Sequence, residues 1–347
     1  MKIVVPLCRL ARSSNGRTAD FGSACGGSSP PRATSVSSGA PLKLFAGSAS
    51  RSLAEKIATA YGQPLGALHI QRFADGEILP KYEESIRGAH VCIIQSTQAP
   101  AENLLELLLL IDAARRASAA EITAVIPYYG YARQDRKEEG RVSIGAKLIA
   151  TLLESAGASR VVTMDLHAGQ IQGFFNIPLD NLEASIVHIP YIQSLNLEPL
   201  VVVSPDAGGA SRARKYARYL HGELALVDKY RAQANAVHSM RLIGDVRGKH
   251  VLIVDDLVDT AGTLVKAAEL LQQEGALSIR ACVTHPVLSG PAYERLTASS
   301  IEELIVTDTL PLRQPHPKIR VLSVASIFAQ ALRSIHQHES VSALFYP

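Results

Sequence analysis

Cysteine is scarce in this chain: Cys8, Cys25, Cys92 and Cys282 are the whole set, and none stands at the short spacing that pairs metal ligands. A disulfide-stapled scaffold and a cysteine-based zinc module are poor readings. Cys92 and Cys282, inside strand-like apolar runs, suit buried reduced thiols of a cytoplasmic protein. Long apolar runs are missing as well. The longest, Leu104 to Ile111, is broken by Glu106 and followed by Asp112, Arg115 and Arg116, so it is too short to span a bilayer and reads as a buried helix. Charge of one sign is not concentrated either. The 35 Lys and Arg stand against 32 Asp and Glu, a formal +3 with no dense basic tract, which argues against nucleic acid or a membrane as partner. What is present is length and apolar content, 347 residues at 47% hydrophobic, enough core material for two ordinary domains.

Residues 1–41 differ from the rest, being rich in Ser, Gly and Pro, with Lys2, Arg9, Arg12, Arg17 and Arg32 against a lone Asp20. Without sustained periodicity they read as a disordered leader or the product of a mis-called start. From Lys43 onward strand-like and helix-like stretches alternate. LKLFAG, LHIQRF, HVCIIQS, EITAVIP and RVVTMD read as strands; Leu53 to Ala60 with Gly62 as a stop, ENLLELLLLIDAARRASA and IGAKLIATLLESAG read as helices. The same grammar restarts at LVVVS and runs to the helix SIFAQALRSIH and the apolar tail VSALF. Such alternation predicts an α/β fold with mostly parallel sheets.

The stretch HVLIVDDLVDTAGTLVKAAELLQQ, residues 250–273, carries the clearest chemistry. An apolar run from Val251 to Val254 predicts a strand ending at Asp255 and Asp256; a small-residue loop, Asp259, Thr260, Ala261, Gly262 and Thr263, leads into a helix. Small residues let the backbone approach a ligand, and the unpaired amides at a helix start favour a phosphate. Carboxylates at the strand end can accept hydrogen bonds from sugar hydroxyls or hold hydrated magnesium. By themselves Asp255 and Asp256 fit a magnesium site equally well; with the loop attached, phosphate plus diol points to a phosphorylated pentose.

Five motifs in order, ADGE, ARQDRK, DLHAGQIQGFF, SPDAGG with DKYR, and DDLVDTAGT, make the chain from Lys43 to its end resemble the class I ribose-phosphate diphosphokinases (phosphoribosyl diphosphate synthetases). The resemblance implies two phosphoribosyltransferase-like domains, each a central mostly parallel sheet flanked by helices, over 42–183 and 184–336, with the tail 337–347 returning to the first. It also implies transfer of the β,γ-diphosphoryl group of ATP to the anomeric hydroxyl of ribose 5-phosphate, a reaction that needs aligned reactants and neutralised phosphate charge more than covalent help.

Carried over residue by residue, the resemblance places Phe73, Asp75, Gly76, Glu77, Arg133 and Gln134 around the nucleotide. Ribose 5-phosphate falls to Arg231, Asp255, Asp256 and the loop from Asp259 to Thr263, and the diphosphate to Asp206, Gly208 and Gly209. Magnesium is the implied cofactor, on His167 and Asp206 with Asp165 close by, although imidazole is an unusual ligand for so hard a cation. Catalytic charge falls to Lys229 and Arg231 on the loop DKYRAQANAV. Because they alternate about Tyr230, both can point the same way from an extended segment. Ser85, Arg87 and Arg141 match positions where phosphate and ADP act as effectors in a homohexamer. Two departures matter: Asn176 stands where the family has Asp, leaving it and Asp180 poor metal ligands, and RVSIGAK lacks the proline usual after the RQDR loop. A phosphoribosyltransferase would share DDLVDTAGT but not need ADGE, RQDR or Lys229 and Arg231. A non-catalytic synthetase-like subunit would be expected to have lost catalytic positions that are intact here.

Overall fold

The structure, a computed structural model, describes residues 39–230 and 239–345. The first lobe opens with strand β1 (Leu42–Ala46), a short 3-10 turn and helix α1 (Arg51–Tyr61), which Gly62 stops in the left-handed conformation at φ 94°. A hairpin of β2 (Leu68–Arg72) and β3 (Ile78–Tyr82) follows. Then come β4 (His90–Ile94), α2 (Glu102–Arg116), β5 (Glu121–Ile126), α3 (Gly145–Ala156), β6 (Arg160–Met164) and β7 (Leu179–Leu182). Strands pair in parallel in the order β1-β4-β5-β6-β7. Their side chains alternate between two cores, as a parallel sheet covered on both faces requires. Phe45, Val91 and Ile93 face the α2 and α3 side, whereas Leu44, Cys92 and Ile94 face α1.

The second lobe begins with α4 (Ser185–Ser194), a helix that the sequence pattern did not show because Pro190 sits inside it. It continues through β8 (Leu200–Ser204), α5 (Ala210–Leu220), β9 (Glu223–Tyr230), β10 (Ser239–Ile243), β11 (His250–Val258), α6 (Gly262–Gln273) and β12 (Ser278–Pro286). It ends with α7 (Ala292–Ala298), β13 (Glu303–Thr307), β14 (Ile319–Leu322) and α8 (Ala325–His336). The sheet order is β10-β9-β8-β11-β12-β13-β14, parallel except that β10 runs antiparallel to β9.

Three expectations are corrected here. β11 does not stop at the two carboxylates but carries them inside the strand to Val258, because the ladder with β12 continues through Asp255↔Val283 and Leu257↔His285. The segment expected as the loop DKYRAQANAV begins as strand, since Asp228, Lys229 and Tyr230 pair with Arg241, Met240 and Ser239 of β10. Helix α8, assigned by its position to the second domain, packs on the first. Its apolar stripe, Phe328, Ala331 and Leu332, shares a core with Leu42, Leu44, Leu53 and Ile57, because α1 leaves a matching stripe that would otherwise face water. The tail follows it, with Val341, Leu344 and Phe345 partly buried against the same core. No helix among the described residues is long and apolar enough to cross a membrane.

Candidate active site

The C-terminal ends of β6, β8 and β11 open onto one cleft of about 730 Å³. It is continuous with a smaller cavity of about 220 Å³ around the loop from Asp259 to Thr263; Arg133, Asp206, Asp255 and Leu257 line both. Ala261 adopts φ 58° and turns the chain so that α6 starts at Gly262, which leaves the first amides of the helix without partners inside it and directed at the cavity. Asp259 is pinned from both sides. One oxygen accepts from Arg133 Nη1 of the first lobe at 2.9 Å, and the other takes the Ser289 hydroxyl.

Next to this loop lies a chain of charges. Asp256, 4% exposed, accepts from His167 Nδ1 at 2.8 Å through one oxygen and from Arg212 Nη1 at 3.2 Å through the other. Both its oxygens are committed, and it does not line the loop cavity. It lines the larger cleft and orients His167. The hydrogen bond to Asp256 holds the His167 imidazole above its usual range. Asp256 is in turn held well below the carboxylate range by His167 and Arg212, against the effect of its own burial. Asp255 goes the other way, raised first by burial and then by the neighbouring Asp256 charge, because Arg212 approaches it only to 3.5 Å. The two adjacent carboxyls thus differ in character: Asp256 is a fixed anion, and Asp255 is the one turned to the ligand cavity.

Arg212 was missed in the sequence. It stands in the first turn of α5, three residues after Gly209, where a basic side chain reaches back over the Gly-rich loop, and that spacing was the available signal. In that loop Asp206 Oδ1 accepts from Gly209 N at 3.0 Å, and Ser204 Oγ donates to Asp206 O at 2.7 Å. A Cβ on Gly209 would lie 2.7 Å from Ser204 Oγ, so this tight turn requires glycine.

The residues expected at a metal fit magnesium in part. With Nδ1 taken by Asp256, His167 keeps its other ring nitrogen for a ligand, and Asp206 lines the cleft with a carboxylate. Among the described residues no group of three or more metal-type side chains converges. Asp165 also lines the cleft, with its Oδ2 accepting from Thr284 Oγ1 at 2.6 Å and from Ala184 N at 3.2 Å. Asn176 binds Glu154 through both its amides, at 2.6 and 2.9 Å, and Asp180 pairs with Arg160 at 2.5 Å.

The other expected positions lie elsewhere. Phe73, Asp75, Gly76 and Glu77 form the β2–β3 turn, in which Gly76 takes φ 97° and Asp75 Oδ1 accepts from Glu77 N at 3.1 Å. They and Gln134 are not among the described residues lining the cleft. Nor are Ser85, Arg87 and Arg141, which are exposed. Lys229 is the last residue but one of β9, opposite Met240, and Arg231 and residues 1–38 of the leader lie outside the described residues.

Two α/β lobes, with a small-residue loop at a helix start after β11 and a carboxylate-rich cleft beside it, define a protein built of two phosphoribosyltransferase-like domains. Residues 42–157 match the family described as the N-terminal domain of ribose phosphate pyrophosphokinase, and residues 230–346 match the phosphoribosyl synthetase-associated domain. The ribose-phosphate pyrophosphokinase of Campylobacter jejuni is 53% identical over 304 residues, 87% of this chain and 98% of that protein. The chloroplastic ribose-phosphate pyrophosphokinase 1 of Arabidopsis thaliana is 51% identical over 310 residues, 88% of this chain and 77% of that protein. The crystal structure of phosphoribosylpyrophosphate synthetase from Mycobacterium smegmatis superposes with a TM-score of 0.82 at 41% identity, covering 86% of this chain and 99% of that one. This chain belongs to the ribose-phosphate pyrophosphokinase family.

Proposed function

We propose that this enzyme transfers the β,γ-diphosphoryl group of ATP to the anomeric hydroxyl of ribose 5-phosphate, releasing AMP, and that the cleft between β6, β8 and β11 is where it does so. The observation that carries the placement is the loop cavity at the start of α6, which opens into the larger cleft past Asp255 and Arg133. The amides from Thr260 to Thr263 hold the 5-phosphate, and Asp255 takes the ring hydroxyls. The turn of Gly208 and Gly209 cradles the diphosphate at the mouth of α5, where close backbone approach and the helix start both favour an anion.

His167 and Asp206 would hold magnesium, whose chemistry when bound is to neutralise phosphate charge and fix the diphosphoryl group in line. Arg212 and Asp256 keep His167 in one orientation. Lys229 and Arg231, at the end of β9 and just past it, supply the cations for the transferring group. Phe73, Asp75, Gly76, Glu77 and Gln134 are the nucleotide-binding candidates carried over from the family, with Arg133 bridging from the same lobe to Asp259.

We further infer a cytoplasmic homohexamer regulated by phosphate and ADP through Ser85, Arg87 and Arg141. The buried, unpaired Cys92 and Cys282 support a reducing compartment. The deciding assay incubates ribose 5-phosphate, magnesium and ATP and scores AMP release. Release should require the sugar and fall by about a thousandfold in Lys229→Ala, the scale of losing one transition-state cation. Release that ignores the sugar, or an undiminished variant, would refute the reading.

A further inference from the structure

Behind His167 the first lobe makes a tight turn. β6 ends at Met164, and Asp165 then takes φ 39°, a left-handed conformation uncommon for residues with a side chain, though Asp adopts it more readily than most, and here several contacts hold it. Part of the hold is local, since Asp165 N donates to Leu182 O at 2.9 Å and Ala184 N donates to Asp165 Oδ2 at 3.2 Å.

The rest comes from the second lobe. Thr284 Oγ1 of β12 donates to Asp165 Oδ2 at 2.6 Å. The next residue, His285, is 3% exposed and places Nε2 3.1 Å from Met164 O and 3.3 Å from Asp165 O. Two carbonyls can only accept, so Nε2 carries the proton, and Nδ1 must accept from the Thr309 hydroxyl at 2.9 Å. Tyr128 closes the ring from the first lobe, edge-on at 5.1 Å. The turn so clamped is the one that delivers His167, two residues on, to Asp256 of β11, the strand paired with β12 at Leu257↔His285.

We propose that Thr284 and His285 are positioning residues for the reaction, holding the Asp165 turn so that His167 meets Asp256 at the edge of the cleft. The inference rests on the reaction assigned above and concerns two residues that line neither the cleft nor the loop cavity but hold Asp165, which does line the cleft. Their effect belongs to the alignment of His167 and not to the capture of ribose 5-phosphate.

The test is Thr284→Val, which keeps the side-chain shape and removes only the donor, beside Thr284→Ser, which keeps the donor. His285→Leu is paired in the same way with His285→Gln. Expected are a fall in kcat of roughly tenfold or more in Thr284→Val and His285→Leu with the KM for ribose 5-phosphate within about twofold, and recovery of most of the rate in the Ser and Gln variants. A crystal structure of Thr284→Val should show His167 Nδ1 moved out of hydrogen-bond reach of Asp256. The proposal is overturned if kcat is unchanged while the melting temperature drops, if KM rises with kcat intact, or if His167 stays in place. Should Thr284→Val not fold, Thr309→Val, which removes only the partner of His285 Nδ1, must lower kcat by severalfold or the inference fails. Failure of the underlying assignment is distinguishable, because there the unmodified enzyme itself would release AMP without the sugar.

Discussion

The two lobes repeat one strand, turn and helix arrangement, yet only one of the two turns is open to a ligand. After β1, Ser48 N donates to Glu106 Oε1 at 2.7 Å and Ala49 N to Gln95 Oε1 at 3.0 Å, and Gln95 Nε2 donates to Glu106 Oε1 at 2.9 Å. Glu106 is 1% exposed. After β8 the corresponding turn lines the cleft, with Gly209 N held by Asp206 of the same loop. Amides at the start of a helix attract an anion in either place. In the first lobe a protein carboxylate from α2 stands where that anion would be, and in the second the position opens onto the cleft. The same backbone is therefore a structural joint in one half and the wall of a cleft in the other. The difference comes from one buried acid.

Substituting the charge at the centre of the open lobe should have the largest effect on this contrast. Arg212→Met leaves Asp255 and Asp256 buried without their counter-ion, and should lower unfolding free energy by about 3 kcal/mol or more, measured by denaturant titration, with kcat falling alongside. Glu106→Gln, the matching change in the closed lobe, keeps the shape but loses charge-assisted acceptance of the Ser48 amide and hydroxyl. A loss of about 2 kcal/mol is expected, with kcat per folded molecule unchanged. If the activity of Glu106→Gln falls as far as its stability, the two turns are not functionally distinct.

A smaller effect should appear with pH at His167. Its pKa in the folded protein is raised, so the stabilisation from its contact with Asp256 is fully present below the unfolded value of about 6.5 and is lost as pH rises through the folded value. Asp256 is depressed, so its share is present above the ordinary carboxylate range and is lost as pH falls through its own folded value. The stability difference between the unmodified enzyme and His167→Asn should shrink steadily from pH 6 to 9. A difference that stays flat across that range would mean that the imidazole is not charged against Asp256.

Much of this was legible in the chain. Gly62 marked a helix stop, the apolar runs marked buried strands, and DDLVDTAGT marked a strand, a phosphate loop and a helix, because each depends on residues within a few positions of one another. Even the break in the longest apolar run was visible at Glu106, though not its purpose. Pro190 hid α4, since a proline inside a helical pattern ordinarily argues for a stop. The last three residues of β9, Asp228 to Tyr230, were read as loop because the apolar run ELALV ends at Val227, and the short edge strand β10 was not assigned.

The amino-acid order alone determined most of the strands and helices, that both sheets are mainly parallel, and that a small-residue loop leads from β11 into a helix. Only the tertiary structure decided that Arg133 reaches Asp259, that Asp256 meets His167, that β12 clamps the Asp165 turn, and that α8 belongs with α1. Local periodicity sets the backbone and the direction of a side chain over a few residues, whereas His167 and Asp256 stand 89 positions apart. Their meeting depends on how two separately covered sheets are brought together near the C-terminal ends of β6 and β11, which no local spacing encodes.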